Sequence, residues 1–145
     1  MTSLLRATRE LLSYSMWANR LQLAACEQVD PADFVRDTGS SHGSLLGTLA
    51  HILGAERLWL SRLLGNPLPA LPGDDLYPDA AALRAGFEEL WAELEFFLAS
   101  LQDDVLSVEL GWTDERGAAH TQATWQVVLH LVNHDPWHRG QIATM

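Results

Sequence analysis

The chain has 145 residues, nine cationic side chains against nineteen carboxylates, and a formal net charge of −10. All nine cations are arginines, scattered from Arg6 to Arg139, so no basic patch offsets that charge and binding to a phosphate backbone is not expected. A 48 % hydrophobic and 19 % charged composition excludes a disordered chain. The single Cys26 excludes an intramolecular disulfide framework or a thiolate-rich zinc site.

The N-terminal MTSLLRATRELL carries neither a long apolar run nor a small-residue cleavage site, so no signal peptide is expected. No uncharged apolar stretch reaches the ~18 residues of a membrane span, which makes the cytoplasm the expected location. Four segments have helical periodicity. The first spans about Leu4 to Gln28, capped by Thr2 or Ser3 and stopped at Asp30-Pro31; its apolar stripe is Ala7, Leu11, Tyr14, Ala18, Leu21 and Ala25. The second spans Ser44 to Leu64, with Leu45, Leu49, Ile52, Trp59 and Leu63 inward and Gly65-Asn66-Pro67 as its stop. The third starts at Asp79 and runs to Leu101 on the stripe Leu83, Phe87, Leu90, Leu94, Phe97 and Leu101. The fourth starts near Thr124 and continues to the last residue, anchored by Val127, Val128, Leu131 and Ile142.

The connection from Gly65 to Pro78 holds four prolines and reads as an extended crossover, whereas Val105 to Ala123 reads as a short hairpin turning at Asp114-Glu115-Arg116-Gly117. With no repeat or low-complexity tract, the expectation is one all-α domain over residues 1–145: a four-helix bundle with a long Pro-rich crossover and a short hairpin before the last helix.

Six histidines are generous for this length. His130, His134 and His138 follow one another at four-residue spacing on the last helix, and four residues advance a helix only about 40° past a full turn. His134 and His138 therefore stack on the stripe of Val127 and Leu131, the geometry with which one helix chelates a metal ion. His51, flanked by Gly47, Gly54 and Ala55 on the second helix, is the natural third nitrogen. Three histidines with open positions are the pattern of a catalytic rather than a closed structural site.

The remaining residues have plainer expectations. His130 reads as support or packing, His42 and His120 as solvent-exposed, Cys26 as a small buried hydrophobe, and Trp17, Trp59, Trp91, Trp125 and Trp137 as packing. Glu56 and Arg139 lie about a turn from ligand positions and are expected to pair in support of the site, with an acid/base role for Glu56 as the alternative. Asp135 is expected to take a hydrogen bond from across the bundle rather than from its neighbour His134.

These residues carry a resemblance. LHLVNHDPWHRGQI (Leu129 to Ile142) resembles the signature of the DinB superfamily, which includes the YfiT-like proteins. GTLAHILGAERLWL (Gly47 to Leu60) is similar to that family's second hallmark, and Tyr14, Trp17, Ala18 and Asn19 stand in its usual place. The resemblance implies a four-helix bundle, commonly a homodimer, with His51, His134 and His138 holding a divalent ion such as nickel, zinc or manganese. It also implies a metal-dependent transferase using a low-molecular-weight thiol such as bacillithiol or mycothiol, or a related isomerase, acting on a small-molecule substrate. Two other readings stand beside that one: a non-catalytic, stress-related metal-binding bundle, and a structural dimer whose histidines fall together by chance. With one cysteine in the chain, thiol chemistry needs a thiol from outside. Two departures from the family pattern are Pro136 between the helical histidines, where a kink is expected, and the end at Met145, one turn past the motif.

Overall fold

The computed structural model describes residues 3–66, 77–114 and 116–145. Its long helices are α1 (Leu4–Cys26), α3 (Leu45–Leu64), α4 (Ala80–Ser100) and α6 (Thr124–Ile142), joined by one-turn helices α2 (Pro31–Phe34) and α5 (Asp103–Leu106) and by the strands β1 (Glu109–Thr113) and β2 (Ala119–Ala123). The chain is thus mostly helical, with the four predicted helices in place within a few residues at each end. The expected crossover lies largely outside the described residues: of its four prolines only Pro78 is described.

Local chemistry sets the helix boundaries. Ser3 caps α1 by accepting from the Arg6 N–H, Ser44 caps α3 through the Gly47 N–H, and Asp79 caps α4 through the Ala82 N–H. Asp30-Pro31 does more than stop α1. Asp30 caps α2, and Pro31 takes the first helical position, where its missing N–H costs nothing. Gly65 ends α3 with φ 67°, a left-handed conformation that glycine adopts without strain. The hairpin pairs Glu109 with Ala123 through Thr113 with Ala119, and Thr124 hydrogen-bonds Val108 O through both its N–H and its hydroxyl, tying the start of α6 to the sheet.

The core gathers Leu12, Met16 and Leu23 of α1, nearly the whole circumference of α3, and the predicted stripes of α4 and α6. The predicted stripe of α1 is corrected. Leu11, Tyr14, Leu21 and Ala25 face outward, and the buried side is Thr8, Leu12, Ser15, Met16, Asn19, Leu23 and Cys26. Trp91 is fully buried, but Trp17 and Trp137 are 54 % and 72 % exposed, so neither is the packing residue expected of it. α6 runs through Pro136 without interruption. No helix among the described residues is long and apolar enough to cross a membrane.

Candidate metal centre

Helices α3 and α6 pack side by side and bring their inward histidines together. His51 Nε2 and His134 Nε2 stand 3.2 Å apart. The His138 ring lies 4.6 Å from that of His51 and 4.5 Å from that of His134, centroid to centroid. The three sequence-predicted rings therefore neighbour one another in pairs, Pro136 notwithstanding. His138 is buried and the other two are half-buried.

A fourth imidazole joins them. His42, expected in solvent, is half-buried and stacks on His51 with ring centroids 3.9 Å apart and planes 16° from parallel. The nitrogens of His42, His51 and His138 lie within 4.8 Å of one another, a three-histidine group able to hold a metal ion. His42 was missed because a tight reversal brings it there: Gly39 and Gly43 adopt φ of 73° and 72°, and Gly43 N–H donates to Ser40 O. The signal in the sequence is the run of small residues around His42 just before α3. His130 touches Trp59 rather than the cluster's centre, and His120 is exposed, paired with Asp114 and stacked on Trp112.

Burial disfavours the charged form of His51 and His138. Burial, followed by the neighbouring His42, His138 and His134, pushes His51 down to about 4. Burial likewise lowers His138. His138 Nδ1 lies 2.7 Å from Gln141 Oε1, to which it donates, leaving the Nε2 lone pair for a ligand. His134 Nδ1 is buried without a hydrogen-bond partner, and so is Asp135 Oδ1, 3.7 Å away. That separation is too long for a hydrogen bond, and Asp135 instead accepts from Ser15 and Asn19 of α1, across the bundle as expected.

Behind the histidines lies a buried polar network. Ser15 Oγ donates to Asp135 Oδ2 at 2.5 Å, and Asn19 Nδ2 donates to the same oxygen at 3.1 Å and to Glu56 Oε1 at 3.2 Å. Asn19 Oδ1 accepts from Arg139 at 2.8 Å, so Asn19 stands between the two side chains expected to pair directly. Glu56 is held well above the usual carboxylate range, first by burial and then by the adjacent Asp135 charge. Cys26 sits in the core, its thiol raised to about 11 by burial and the Glu27 charge.

Two nitrogens bound at about 2.0–2.1 Å to one tetrahedral ion stand about 3.3 Å apart. The His51–His134 separation of 3.2 Å meets that spacing. The donor set is all imidazole, suited to late first-row divalent ions. The residues fit a metal.

The sequence profile of the DinB family matches residues 1–145, the whole chain. The chain belongs to the DinB family. A crystal structure of a DinB-like protein from Bacillus cereus has the same fold, with a TM-score of 0.69 and 18 % identity over 92 % of this chain and 87 % of that one. No curated protein matches this DinB-family chain.

Proposed function

We propose that this protein holds a divalent ion on His51, His134 and His138 and uses it to transfer a low-molecular-weight thiol, of the bacillithiol or mycothiol kind, to a small electrophile. The observation that carries the reading is the 3.2 Å approach of two Nε2 atoms from different helices. Bound to three neutral imidazoles, a divalent ion keeps its full charge and lowers the pKa of a thiol. The chain's own residues do the positioning. Gln141 orients the His138 ring, and Asp135, held by Ser15 and Asn19, carries a carboxylate oxygen 3.7 Å from His134 Nδ1. A polar recess of about 590 Å³, lined by Arg36, Thr38, Ser40 and Gln141, adjoins the site through Gln141 and suits the polar body of such a thiol. The chain's thiol does not serve: Cys26 is buried and held protonated.

Metal analysis of purified wild type and of the His134→Ala/His138→Ala double variant tests the site, with one ion per chain expected in the first and little in the second. Equal, substoichiometric metal in both would sink it. Loss of thiol against monochlorobimane should then depend on added Zn²⁺, Ni²⁺ or Mn²⁺. No metal-dependent rate over a panel of thiols and electrophiles would favour an ion held without turnover. One observation already supports that second reading: His42 against His51 offers a fourth nitrogen for the position a substrate needs in a tetrahedral site.

The homodimer expected from the family resemblance is also a proposal. The outward face of α1 (Leu4, Leu11, Tyr14, Trp17, Leu21), continued by Leu129 of α6, is the surface a second copy would cover.

A further inference from the structure

We propose that His42 is a fourth protein ligand to the ion held at His51 and His138, delivered by the loop before α3. The inference rests on the metal reading above and concerns the residue that reading leaves out.

Three observations carry it. The first is distance: the His42, His51 and His138 nitrogens lie within 4.8 Å of one another, and the His42 ring is both stacked on His51 and edge-on to His138 at 5.2 Å. The second is the cradle under the loop. A Cβ on Gly47 would sit 2.1 Å from the His42 carbonyl oxygen, so only a glycine, one helical turn before His51, lets this backbone lie so close to α3. The third is a clamp from the opposite side. Gln141 uses its oxygen to orient His138 and its amide nitrogen to donate to Ser41, the neighbour of His42, at 3.1 Å. One side chain thus ties a ligand of α6 to the loop that carries the fourth imidazole.

In the stack the two ring planes are nearly parallel, so their in-plane lone pairs run side by side. His42 reaches the ion by turning about its own side-chain bonds, with its backbone already in position. Four imidazoles close a tetrahedral ion. Of the four, the loop-borne His42 is the one not anchored in a long helix, so it is the imidazole that would give way to an incoming thiolate.

Metal-free protein titrated with Co²⁺, and with Zn²⁺ in competition with a colorimetric chelator, tests this. Wild type binds one ion per chain. His42→Ala and His42→Gln keep that stoichiometry but bind at least about tenfold more weakly, since even an indirect supporting residue is worth 10–100-fold in affinity. Their Co²⁺ visible bands shift as a nitrogen donor is lost. Unchanged affinity and bands in both variants would overturn the fourth ligand, and the three-histidine reading would survive if His134→Ala/His138→Ala still abolished binding. Failure of wild type to bind Co²⁺ or Zn²⁺ would overturn both. Circular dichroism in chelator confirms that the variants fold, and two substitutions at one position separate loss of a ligand from loss of loop packing.

Discussion

His51 and Glu56 are carried by the same helix, and burial acts on them in opposite directions, because leaving water always disfavours the charged form. His51 falls from 6.5 to about 4, and Glu56 rises well above 4.5. The consequences for stability have opposite signs. The depressed His51 stabilises fully above pH 6.5, and its contribution is lost as pH falls from there through about 4, where the folded imidazole also protonates. The raised Glu56 stabilises fully below pH 4.5, and its contribution is lost as pH rises from there toward its folded value. Glu56→Gln keeps a neutral group in the network, so its melting temperature in chelator should gain on wild type as pH rises, with a larger gain at pH 8 than at pH 5. A difference independent of pH would show that Glu56 is not held protonated.

At the same scale, His134 and His138 were legible because spacing along a helix is local, four residues bringing one ring over the next, and His51 was legible from the small residues around it. His42 was not legible, because its neighbour His51 is reached through a reversal that depends on Gly39, Gly43 and Gly47 together. Asn19 between Glu56 and Arg139 was hidden for a related reason, its helix being far from both in sequence.

Among elements, α1 is where periodicity misled. A core stripe was read from its apolar residues, yet the inward face carries Thr8, Ser15 and Asn19. Ser15 and Asn19 face inward because the buried carboxylates of Glu56 and Asp135 need donors, and an unsatisfied buried polar group costs about 1–3 kcal/mol. Hydrophobic pattern alone cannot show that requirement, because the carboxylates lie on α3 and α6.

Two glycines separate local from tertiary control. Gly140 in α6 has open space where a Cβ would stand, so Gly140→Ala should stabilise by about 0.4–1 kcal/mol through the unfolded chain. Gly47 in α3 has the His42 carbonyl there instead. Gly47→Ala should destabilise by about 1–3 kcal/mol despite a helix-propensity gain of about 1 kcal/mol, because backbone cannot give way as a side-chain tip can. Urea unfolding of both variants checks the opposite signs.

Across the whole molecule, the outward face of α1 matters most. Leu4, Leu11, Tyr14, Trp17, Leu21 and Leu129 leave on the order of 600 Å² of apolar surface open, against about 800 Å² contributed by each partner of a standard interface. A groove of about 620 Å³ lined by Trp17, Ala18, Leu21, Ala25 and Ile142 extends the same face along the α1–α6 seam. A second copy offers an equally apolar face to cover it, which a polar partner does not. Sedimentation should find a dimer at micromolar concentration. Leu11→Glu/Leu21→Glu should be monomeric with unchanged helicity, because paired interfaces would bury four added carboxylates. A wild type monomeric at tens of micromolar would exclude this interface.

The sequence by itself determined the helical architecture, the hairpin, the caps and the neighbouring histidine pair on α6, since each follows from interactions within a few residues along the chain. Its whole length also carries the pattern of the DinB family. Only the tertiary structure decided which face of α1 is inside, which polar side chains support the histidines, and that His42 stands against His51. Those outcomes depend on groups brought together from distant positions: a buried carboxylate finding its donor, and a loop passing over a glycine.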